Sequence, residues 1–417
     1  MTIVGVRLSD DYVTDARPRN WREGSLLLFP NGKAPLFALT TGMKKKVTDD
    51  PDFNWWEKVM PTQRVALATG TIGTGSPIAA VAAGDWNAAG IKAGHVIKIE
   101  QTGEIILVTA DPTTASANLT VTRGWQGTTA TAFDPATSGA NPNVHTVGTQ
   151  FEENSQAPTG VSYDPTKRTN FTQIFRDTLG MSRTAQKTRL RTGDAVREAK
   201  RETLEMHSAN IEKAMWMGKP DDTSTINGEI ARSTGGIFHY IETLAPQNVI
   251  DVSAAPYSGA FSLANLEDWL ELAFRFGSSE KVGFCGNQAM LQIQRAVRLG
   301  SNVSYNFSQG QKEFGMNVMR LTSPFGTIVL KTHPLWNQVT GGTNTTDYYG
   351  LNSWLCLLDM ENVVYRWLTD SDTMFEQDLQ ANGLDGILSG YLTECGLELH
   401  HAQSHFLIKN LQGAEAG

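Results

Sequence analysis

The sequence predicts an α+β protein, because strand-like and helix-like patterns occupy different parts of the 417-residue chain. Residues 62–150 are rich in Gly, Ala and Thr and contain short alternating segments such as His95–Glu100, which is typical of a small all-β domain. A long helical pattern covers residues 194–217. From Phe261 onward, helices alternate with short apolar strands, which predicts a further, mixed region.

The long helix has recognisable ends, since Asp194 is suited to be its N-cap and Gly218 and Pro220 stop the pattern. At 1.5 Å per residue it would be about 36 Å long, roughly twice the average helix. The residues that recur at helical spacing along it are Val196, Ala199, Thr203 and Met206, and Leu204, Ile211 and Met215.

Residues 166–192 are predicted to be extended, and the region after Phe261 gives seven further elements. The predicted helices are 263–276, capped by Ser262, and 288–298, capped by Asn287. The predicted strands are 282–285, 317–322, 326–333, 353–358 and 390–400.

Composition and charge exclude several classes of protein. The formal net charge is −8, which is not typical of a basic nucleic-acid binder, and ten tryptophans exclude a disordered or fibrous chain. Cys285, Cys356 and Cys395 are far apart and match no metal spacing, so we expect buried, reduced thiols. The first residues lack the pattern of a signal peptide, and no stretch approaches the ~18 apolar residues of a membrane span.

An aromatic and charged segment near the beginning of the chain is a candidate for contacts between subunits. It contains the basic run Lys44-Lys45-Lys46 and, shortly after, the segment Asp52-Phe53-Asn54-Trp55-Trp56. Trp is enriched in the buried centres of interfaces, so Phe53, Trp55, Trp56 and the three lysines are the candidate contact residues. The alternative is that the two tryptophans belong to a local core.

Catalytic signatures are missing from the sequence, which contains no G-x-S-x-G, H-E-x-x-H or P-loop pattern. His400, His401 and His405 are close in sequence, but residues four apart in a strand are about 13 Å apart, too far to share one metal ion. We therefore expect no enzyme, no metal site and no cofactor.

Residues 167–219 carry twelve basic and six acidic residues, a net charge of +6 in an acidic protein. One interpretation is a helix face with salt bridges such as Arg201 to Glu205. The other is a face turned toward an anionic polymer without sequence specificity. In that interpretation the basic residues expected to face the polymer are Arg189, Arg191, Arg197, Lys200 and Arg201.

The order of these parts resembles a major capsid protein of tailed bacteriophages, of the Hong Kong 97 type. The stretches that carry the resemblance are Asp52-Phe53-Asn54-Trp55-Trp56-Glu57, Leu119-Thr120-Val121-Thr122-Arg123-Gly124-Trp125 with Gly127-Thr128, Asn170-Phe171-Thr172-Gln173-Ile174-Phe175, and Asn382-Gly383-Leu384-Asp385-Gly386 leading to Tyr391-Leu392-Thr393-Glu394. The resemblance covers nearly the whole chain.

The resemblance implies a Hong Kong 97-type fold with five parts. In chain order these would be an N-terminal arm at 1–35, an extended loop at 36–61 and 151–175, an inserted β-rich domain at 62–150, a peripheral domain at 176–260 and 351–417 with its spine helix at 194–217, and an axial domain at 261–350.

The function implied by the resemblance is self-assembly into hexamers and pentamers that form an icosahedral head shell. The expected partners are copies of the chain itself, packaged double-stranded DNA bound without sequence specificity, portal and scaffolding proteins, and decoration proteins, but no membrane. The expected location is the virion, after assembly in the host cytoplasm. The alternatives are another shell or tail structural protein, or a ligand-binding module formed by residues 62–150.

Overall fold

The computed structural model of the protein describes residues 43–67, 73–75, 78–79, 85–112, 118–132, 143–188, 194–259, 262–299, 308–313, 316–337 and 351–411. The predicted arm at 1–35 lies outside these residues. The strands are β1 (Lys44–Thr48), β2 (Asp52–Glu57), β3 (Arg64–Ala66), β4 (Ile78–Ala79), β5 (His95–Ile99), β6 (Ile105–Val108), β7 (Asn118–Leu119), β8 (Val121–Thr122), β9 (Asn143–Thr149), β10 (Thr166–Phe171), β11 (Gln173–Ser182), β12 (Thr225–Ile226), β13 (Glu229–Ile230), β14 (Val249–Asp251), β15 (Glu280–Cys285), β16 (Ser308–Glu313), β17 (Met316–Ser323), β18 (Gly326–Thr332), β19 (Leu355–Leu358), β20 (Val363–Leu368), β21 (Met374–Glu376), β22 (Gly386–Leu399) and β23 (Phe406–Lys409).

The α-helices are α1 (Asp85–Ala88), α2 (Arg183–Lys187), α3 (Ala195–Met217), α4 (Ile237–Leu244), α5 (Leu263–Ala273) and α6 (Asn287–Leu299). Short 3₁₀ turns lie at Trp125–Gly127, Pro246–Asn248, Pro334–Trp336, Met360–Asn362 and Ala402–Ser404. Helices and strands coexist throughout, which confirms the predicted α+β class. None of the helices in the described part of the chain is both long and apolar enough to cross a membrane.

The chain divides into two compact units. The first unit combines the residues up to Trp55 with those from Arg168 onward, and the second is Trp56–Lys167. The predicted β insertion, 62–150, falls within the second unit. The assignment of the chain to arm, extended loop, insertion, peripheral and axial domains stays a prediction.

The second unit is built on a five-stranded sheet in the order β3-β9-β5-β6-β8. Ile97 and Ile99 of β5 are both completely buried, as their alternation predicts, and they pack with Trp86, Ile91 and other apolar residues in one core. The unit also contains a buried ion pair, in which Arg123 Nη2 lies 2.5 Å from Glu104 Oε2. The next residue, Gly124, has φ 65°, and its N–H donates to Glu104 as well. The Arg123-Gly124 part of the resemblance is therefore a turn held by one carboxylate.

The first unit contains two larger sheets. One has the order β1-β20-β22-β11, with β21 beside β22, and helices α3 and α4 contribute to the core beside it. The other is a seven-stranded mixed sheet in the order β14-β23-β19-β15-β18-β17-β16, and α5 and α6 contribute to its core. Strand β19 explains how the seven-stranded sheet is buried on both faces: Cys356 and Leu358 enter the first core, while Leu355 and Leu357 enter the second.

Helix α3 confirms the helix predicted at 194–217. The side chain of Asp194 accepts a hydrogen bond from the Val196 N–H at 2.9 Å, so it is the N-cap. The buried face differs from the apolar spacing, however. Met206 is 60 % exposed, whereas the polar residues His207, Ser208 and Glu212 are buried because each has a partner inside the unit.

Two other predictions need correction. Residues 183–187, which were predicted to be extended, form helix α2, because Ser182 accepts a hydrogen bond from the Ala185 N–H and begins a helical turn. The helix predicted at 263–276 ends at Ala273, although its cap at Ser262 is confirmed by a reciprocal pair of hydrogen bonds with Asn265.

Candidate subunit-contact surfaces

Strand β2 separates the predicted aromatic contact residues onto two sides, because successive side chains of a strand point in opposite directions. Phe53 and Trp55 are buried, whereas Trp56 is 62 % exposed. The Trp55 ring lies 5.9 Å from the Tyr240 ring and 6.1 Å from the His400 ring. The local-core alternative therefore describes Phe53 and Trp55 in this structure, and an intersubunit contact stays a prediction, with Trp56 the residue available for it.

The three predicted contact lysines lie on an edge strand. Strand β1 pairs in parallel with β20 and is the end of its sheet among the described residues, and Lys44, Lys45 and Lys46 are all exposed. Lysines on an edge strand hinder the addition of a further strand, which is an alternative explanation for this basic run. Their contact with a neighbouring subunit stays a prediction.

The predicted basic face is only partly described, since Arg189 and Arg191 lie outside the described residues. Arg197 is exposed at the beginning of α3. Lys200 Nζ lies 4.4 Å from the centroid of the Phe375 ring, and Arg201 pairs with Glu205 at 3.4 Å. The salt-bridge interpretation thus describes Arg201, and the orientation of this face in an assembly stays a prediction.

Two stretches that carry the resemblance are neighbours in space. Strand β11 pairs antiparallel with β22, so that Ile174 lies opposite Glu394 and Phe175 opposite Thr393. Thr172, just before β11, donates from Oγ1 to Glu394 Oε1 at 2.7 Å. Residues of these two stretches therefore form the junction between β11 and β22.

Asn170 is the centre of this junction and is completely buried. Its Nδ2 donates to the carbonyl oxygens of Leu397 at 2.5 Å and Gly235 at 3.1 Å. Its Oδ1 accepts from the Gly235 N–H at 2.7 Å and from the Phe171 N–H at 2.9 Å. Because every polar atom of the amide has a partner, the side chain fixes three segments of the first unit together.

His207 links α3 to the sheet beside it in an arrangement like that of a catalytic triad. Its Nδ1 lies 2.8 Å from Asp177 Oδ2, and its Nε2 lies 2.8 Å from Thr393 Oγ1. Thr393 is completely buried and also donates to Thr373 Oγ1 at 3.0 Å. A nucleophile must reach its substrate, so this buried set acts as a structural link between helix and sheet.

His400 and His405 each have a hydrogen-bond partner within the first unit. His400 Nε2 lies 2.6 Å from Glu398 Oε1, and His405 Nε2 donates to the His400 carbonyl at 3.2 Å. Burial alone raises the pKa of Glu398, but hydrogen bonds from His400 and Arg366 outweigh it and hold that pKa below its usual value. Across the described ranges, no group of three or more potential ligands could hold a metal ion.

The three cysteines are free and buried, as predicted. Burial raises the pKa of Cys285 and of Cys395 to about 12, and it raises the pKa of Cys356 as well. At neutral pH they are therefore inert thiols. Any cysteine introduced on the surface would be chemically distinct from them.

Large apolar side chains are exposed on both units. In the second unit they include Trp56 near the end of β2 and Val59 and Met60 just after that strand. In the first unit they include Ile174 of β11 and the two isoleucines of the β12–β13 hairpin, Ile226 and Ile230. Exposed apolar surface of this kind marks sites of association between proteins.

Sequence reasoning missed the hairpin, although its signal is present. Asn227 and Gly228 separate β12 from β13 and both have positive φ, at 53° and 88°. An Asn-Gly pair between apolar residues is a strong signal for a tight hairpin turn. The role of Asn170 had no comparable signal, because a single buried amide leaves no periodic pattern in the sequence.

Comparison with known proteins gives a consistent family. A model of the SU10 major capsid protein family matches residues 19–412. The major capsid protein of Pseudomonas phage PaMx41 is 28 % identical over 316 residues, which covers 74 % of this chain and 71 % of that protein. Both findings agree with the resemblance to phage major capsid proteins.

Solved structures of low sequence identity are also similar. A protein of the capsid of an empty GTA particle is 9 % identical, with a TM-score of 0.45 and 95 % of each chain covered. A protein of Microbacterium phage Oxtober96 is 10 % identical, with a TM-score of 0.43, and 96 % of this chain and 97 % of that chain are covered. Since the family model matches most of the sequence, the chain belongs to the SU10 major capsid protein family.

Proposed function

We propose that many copies of this chain assemble as hexamers and pentamers into an icosahedral shell, the head of a phage, around double-stranded DNA. The observation that carries the proposal is the family match over residues 19–412. The exposed apolar side chains of both units support it, because a subunit that associates with its copies leaves such surface uncovered when it is alone.

The role we propose is structural, without catalytic activity. The one triad-like arrangement described above is buried at Thr393, and the cysteine thiols are buried as well. Hydrogen-bonded links at Asn170 and His207 hold the strands and helices of the first unit in one arrangement. A firmly held unit suits a shell, in which contact surfaces must have the same geometry in every copy.

Assembly can be tested with the full-length chain, expressed alone and together with a scaffolding protein. Negative-stain images should show ring-shaped capsomers or closed shells, since obligate contacts of this kind bury more than about 2,000 Å². Light scattering that shows a stable monomer at every concentration, with and without the scaffolding protein, would contradict the proposal.

DNA is the expected content of the shell. The basic residues Arg197, Lys200 and Arg201 on α3, with Arg189 and Arg191 before it, would face the lumen and contact phosphates without sequence specificity. A density map of the filled shell tests this orientation. If these side chains lie on the outer surface, or are enclosed in ion pairs between subunits, the proposal about DNA contact is wrong.

Further partners follow from the function. We expect a portal protein at one vertex, a scaffolding protein during assembly and decoration proteins on the outer surface, with assembly in the host cytoplasm and the finished protein in the virion. Mass spectrometry of purified particles would identify these partners. Particles that contain this chain and no other head protein would contradict the expectation of portal and decoration proteins.

A further inference from the structure

A shallow groove of about 410 Å³ lies on the first unit between the beginning of β11 and the hairpin of β12 and β13. The large apolar side chains that line it are Ile174, Ile226 and Ile230, and we call it the isoleucine groove. These side chains are 62 %, 66 % and 57 % exposed. Burial of an isoleucine side chain is favourable in proportion to the apolar area removed from water, so three exposed together form a substantial surface for association.

The groove has a firm frame on its hairpin side. The backbones of Asp221 and Ser233 exchange two hydrogen bonds, at 3.2 Å and 2.9 Å, below the hairpin. The Ala231 N–H donates to the Ser224 carbonyl at 2.8 Å. Hydrogen bonds from the Ser224 and Thr223 side chains and backbone hold the pKa of Asp221 at about 2, so this carboxylate keeps the turn in place at neutral pH.

The opposite wall of the groove is equally well held. Thr172 donates to Glu394, and the Thr234 N–H donates to Gln173 Oε1 at 3.2 Å. Ile174 therefore follows two residues whose side chains are hydrogen-bonded to different segments of the first unit. A pre-organised apolar surface loses little conformational entropy when a partner covers it, which favours binding.

We propose that the isoleucine groove receives a second copy of this chain, through the exposed residues Trp56, Val59 and Met60 at the end of β2 and just after it. These three side chains, which we call the apolar strip, are 62 %, 57 % and 75 % exposed. The inference rests on the proposed function, because it names the residues through which copies of a capsid protein meet. It assigns the groove as the receiving surface.

Charge supports the pairing of strip and groove. The groove is bordered by the carboxylates of Glu229 and Glu394 and by one cation, Arg232, so acidic groups are in excess. In the segment that carries the strip, residues 56–60, the exposed charge is Lys58, since the other charged residue, Glu57, is buried. Opposite charges around apolar centres are the usual arrangement at an interface.

The pairing also has a consequence for symmetry. Strip and groove are different surfaces, so a contact between them is heterologous: each copy receives one neighbour and is received by another. Contacts of this kind close into rings when the rotation allows it, whereas a self-complementary patch would stop at a dimer. Rings of five or six copies are what the proposed shell requires.

The groove can be tested with the double variant Ile226→Asp/Ile230→Asp in the full-length chain. Both side chains are exposed, so the variant should fold, and circular dichroism should match the unmodified protein. We expect capsomer formation to weaken about tenfold or more, because the two introduced carboxylates would have to be buried against the apolar strip. The matched control is Leu384→Asp, whose side chain is 61 % exposed outside the groove and should leave assembly unchanged.

Cysteine pairing tests the partner. Met60→Cys/Ile230→Cys should give a ladder of covalently linked oligomers on a non-reducing gel, and Met60→Cys/Leu384→Cys should not.

If the unmodified chain forms no particles, the proposed function itself has failed. If it forms particles and the groove variants assemble equally well, if Leu384→Asp disrupts assembly to the same degree, or if the first cysteine pair gives no ladder, the inference about the groove is overturned and the proposed function is unaffected.

Discussion

His333 Nε2 lies 2.6 Å from Glu212 Oε1, and both side chains are buried. The Leu335 N–H donates to His333 Nδ1, so the proton of the ring is on Nε2 and is donated to the carboxylate. Lys331, on β18, is the nearby cation: burial lowers its pKa to about 8, against the opposing effect of the Glu212 charge. Helix α3 is thereby tied by a buried hydrogen bond to the residue that follows β18 of the seven-stranded sheet.

This tie predicts a large effect of Glu212→Ala on stability. Removing the Glu212 carboxylate leaves the buried Nε2–H of His333 without its acceptor, so we expect a loss of about 1–3 kcal/mol in the free energy of unfolding. Urea denaturation of the unassembled subunit measures it. The matched control on the same helix is Glu205→Ala, which breaks the exposed pair with Arg201 and should lose less than about 1 kcal/mol. Equal losses in the two variants would contradict the role of Glu212.

His405 predicts a dependence of stability on pH. Burial, aided by the charge of Lys281, lowers the pKa of His405 from 6.5 to about 3. In the folded protein its Nδ1 accepts from the Asp359 N–H at 3.2 Å, an interaction that protonation would break. The unfolded chain therefore binds the proton more readily between pH 3 and 6.5, and stability falls as the pH falls through this range.

The size of the effect follows from the same shift. Between pH 6.5 and pH 5 the loss should be about 1.6 kcal/mol, because the unfolded histidine is half protonated at pH 6.5 and the full slope of about 1.4 kcal/mol per pH unit is reached only below it. The measurement is the urea midpoint at several pH values for the unmodified protein and for His405→Gln, which cannot take up the proton. We expect the variant to be less stable at pH 7 but to lose less between pH 6.5 and 5. Parallel curves would rule out His405 as the cause.

What the sequence could predict depended on periodic patterns. Helix α3 and strand β5 were predicted because apolar residues recur at a regular spacing over many positions. The inner face of α3 was not predictable in this way, since His207 and Glu212 are buried through partners on distant strands. The same reason hid Asn170, whose partners at Gly235 and Leu397 are far away in sequence.

The candidate site was predictable to a smaller extent. Trp55 and Trp56 are adjacent in sequence, and the pattern alone left open whether they form a core or a surface. The strand geometry of β2 assigns them opposite environments. The isoleucine groove joins Ile174 to a hairpin some fifty residues later in the printed sequence, so only the folded chain brings its three residues together.

The two tryptophans predict two different losses. Trp55→Ala removes a ring that is 5 % exposed in the first core, and we expect it to lower the free energy of unfolding by about 3–5 kcal/mol. Trp56→Ala should change stability by no more than about 0.5 kcal/mol, because its ring is exposed. It should instead weaken assembly by about 2 kcal/mol or more per contact, as a truncated hot-spot Trp does. Urea denaturation and light scattering separate the two effects, and Trp56→Ala particles that form as readily as the unmodified ones would contradict the contact.

The second unit predicts that most of it can be removed. Arg64 of β3 lies opposite His145 of β9 in an antiparallel pair, so their Cα atoms are about 5 Å apart and a short Gly linker can join them. The segment between them holds the buried core around Trp86 and Ile97, and the α-helix in its described part is the four-residue α1, whereas α2–α6 lie in the first unit. We therefore expect the shortened chain to keep its helical circular dichroism and to unfold cooperatively. The converse test is the isolated segment Trp56–Lys167, which has its own buried core around Trp86 and Ile97 and should also unfold cooperatively. Loss of the helical signal in the shortened chain would show that the first unit depends on the second for its folding.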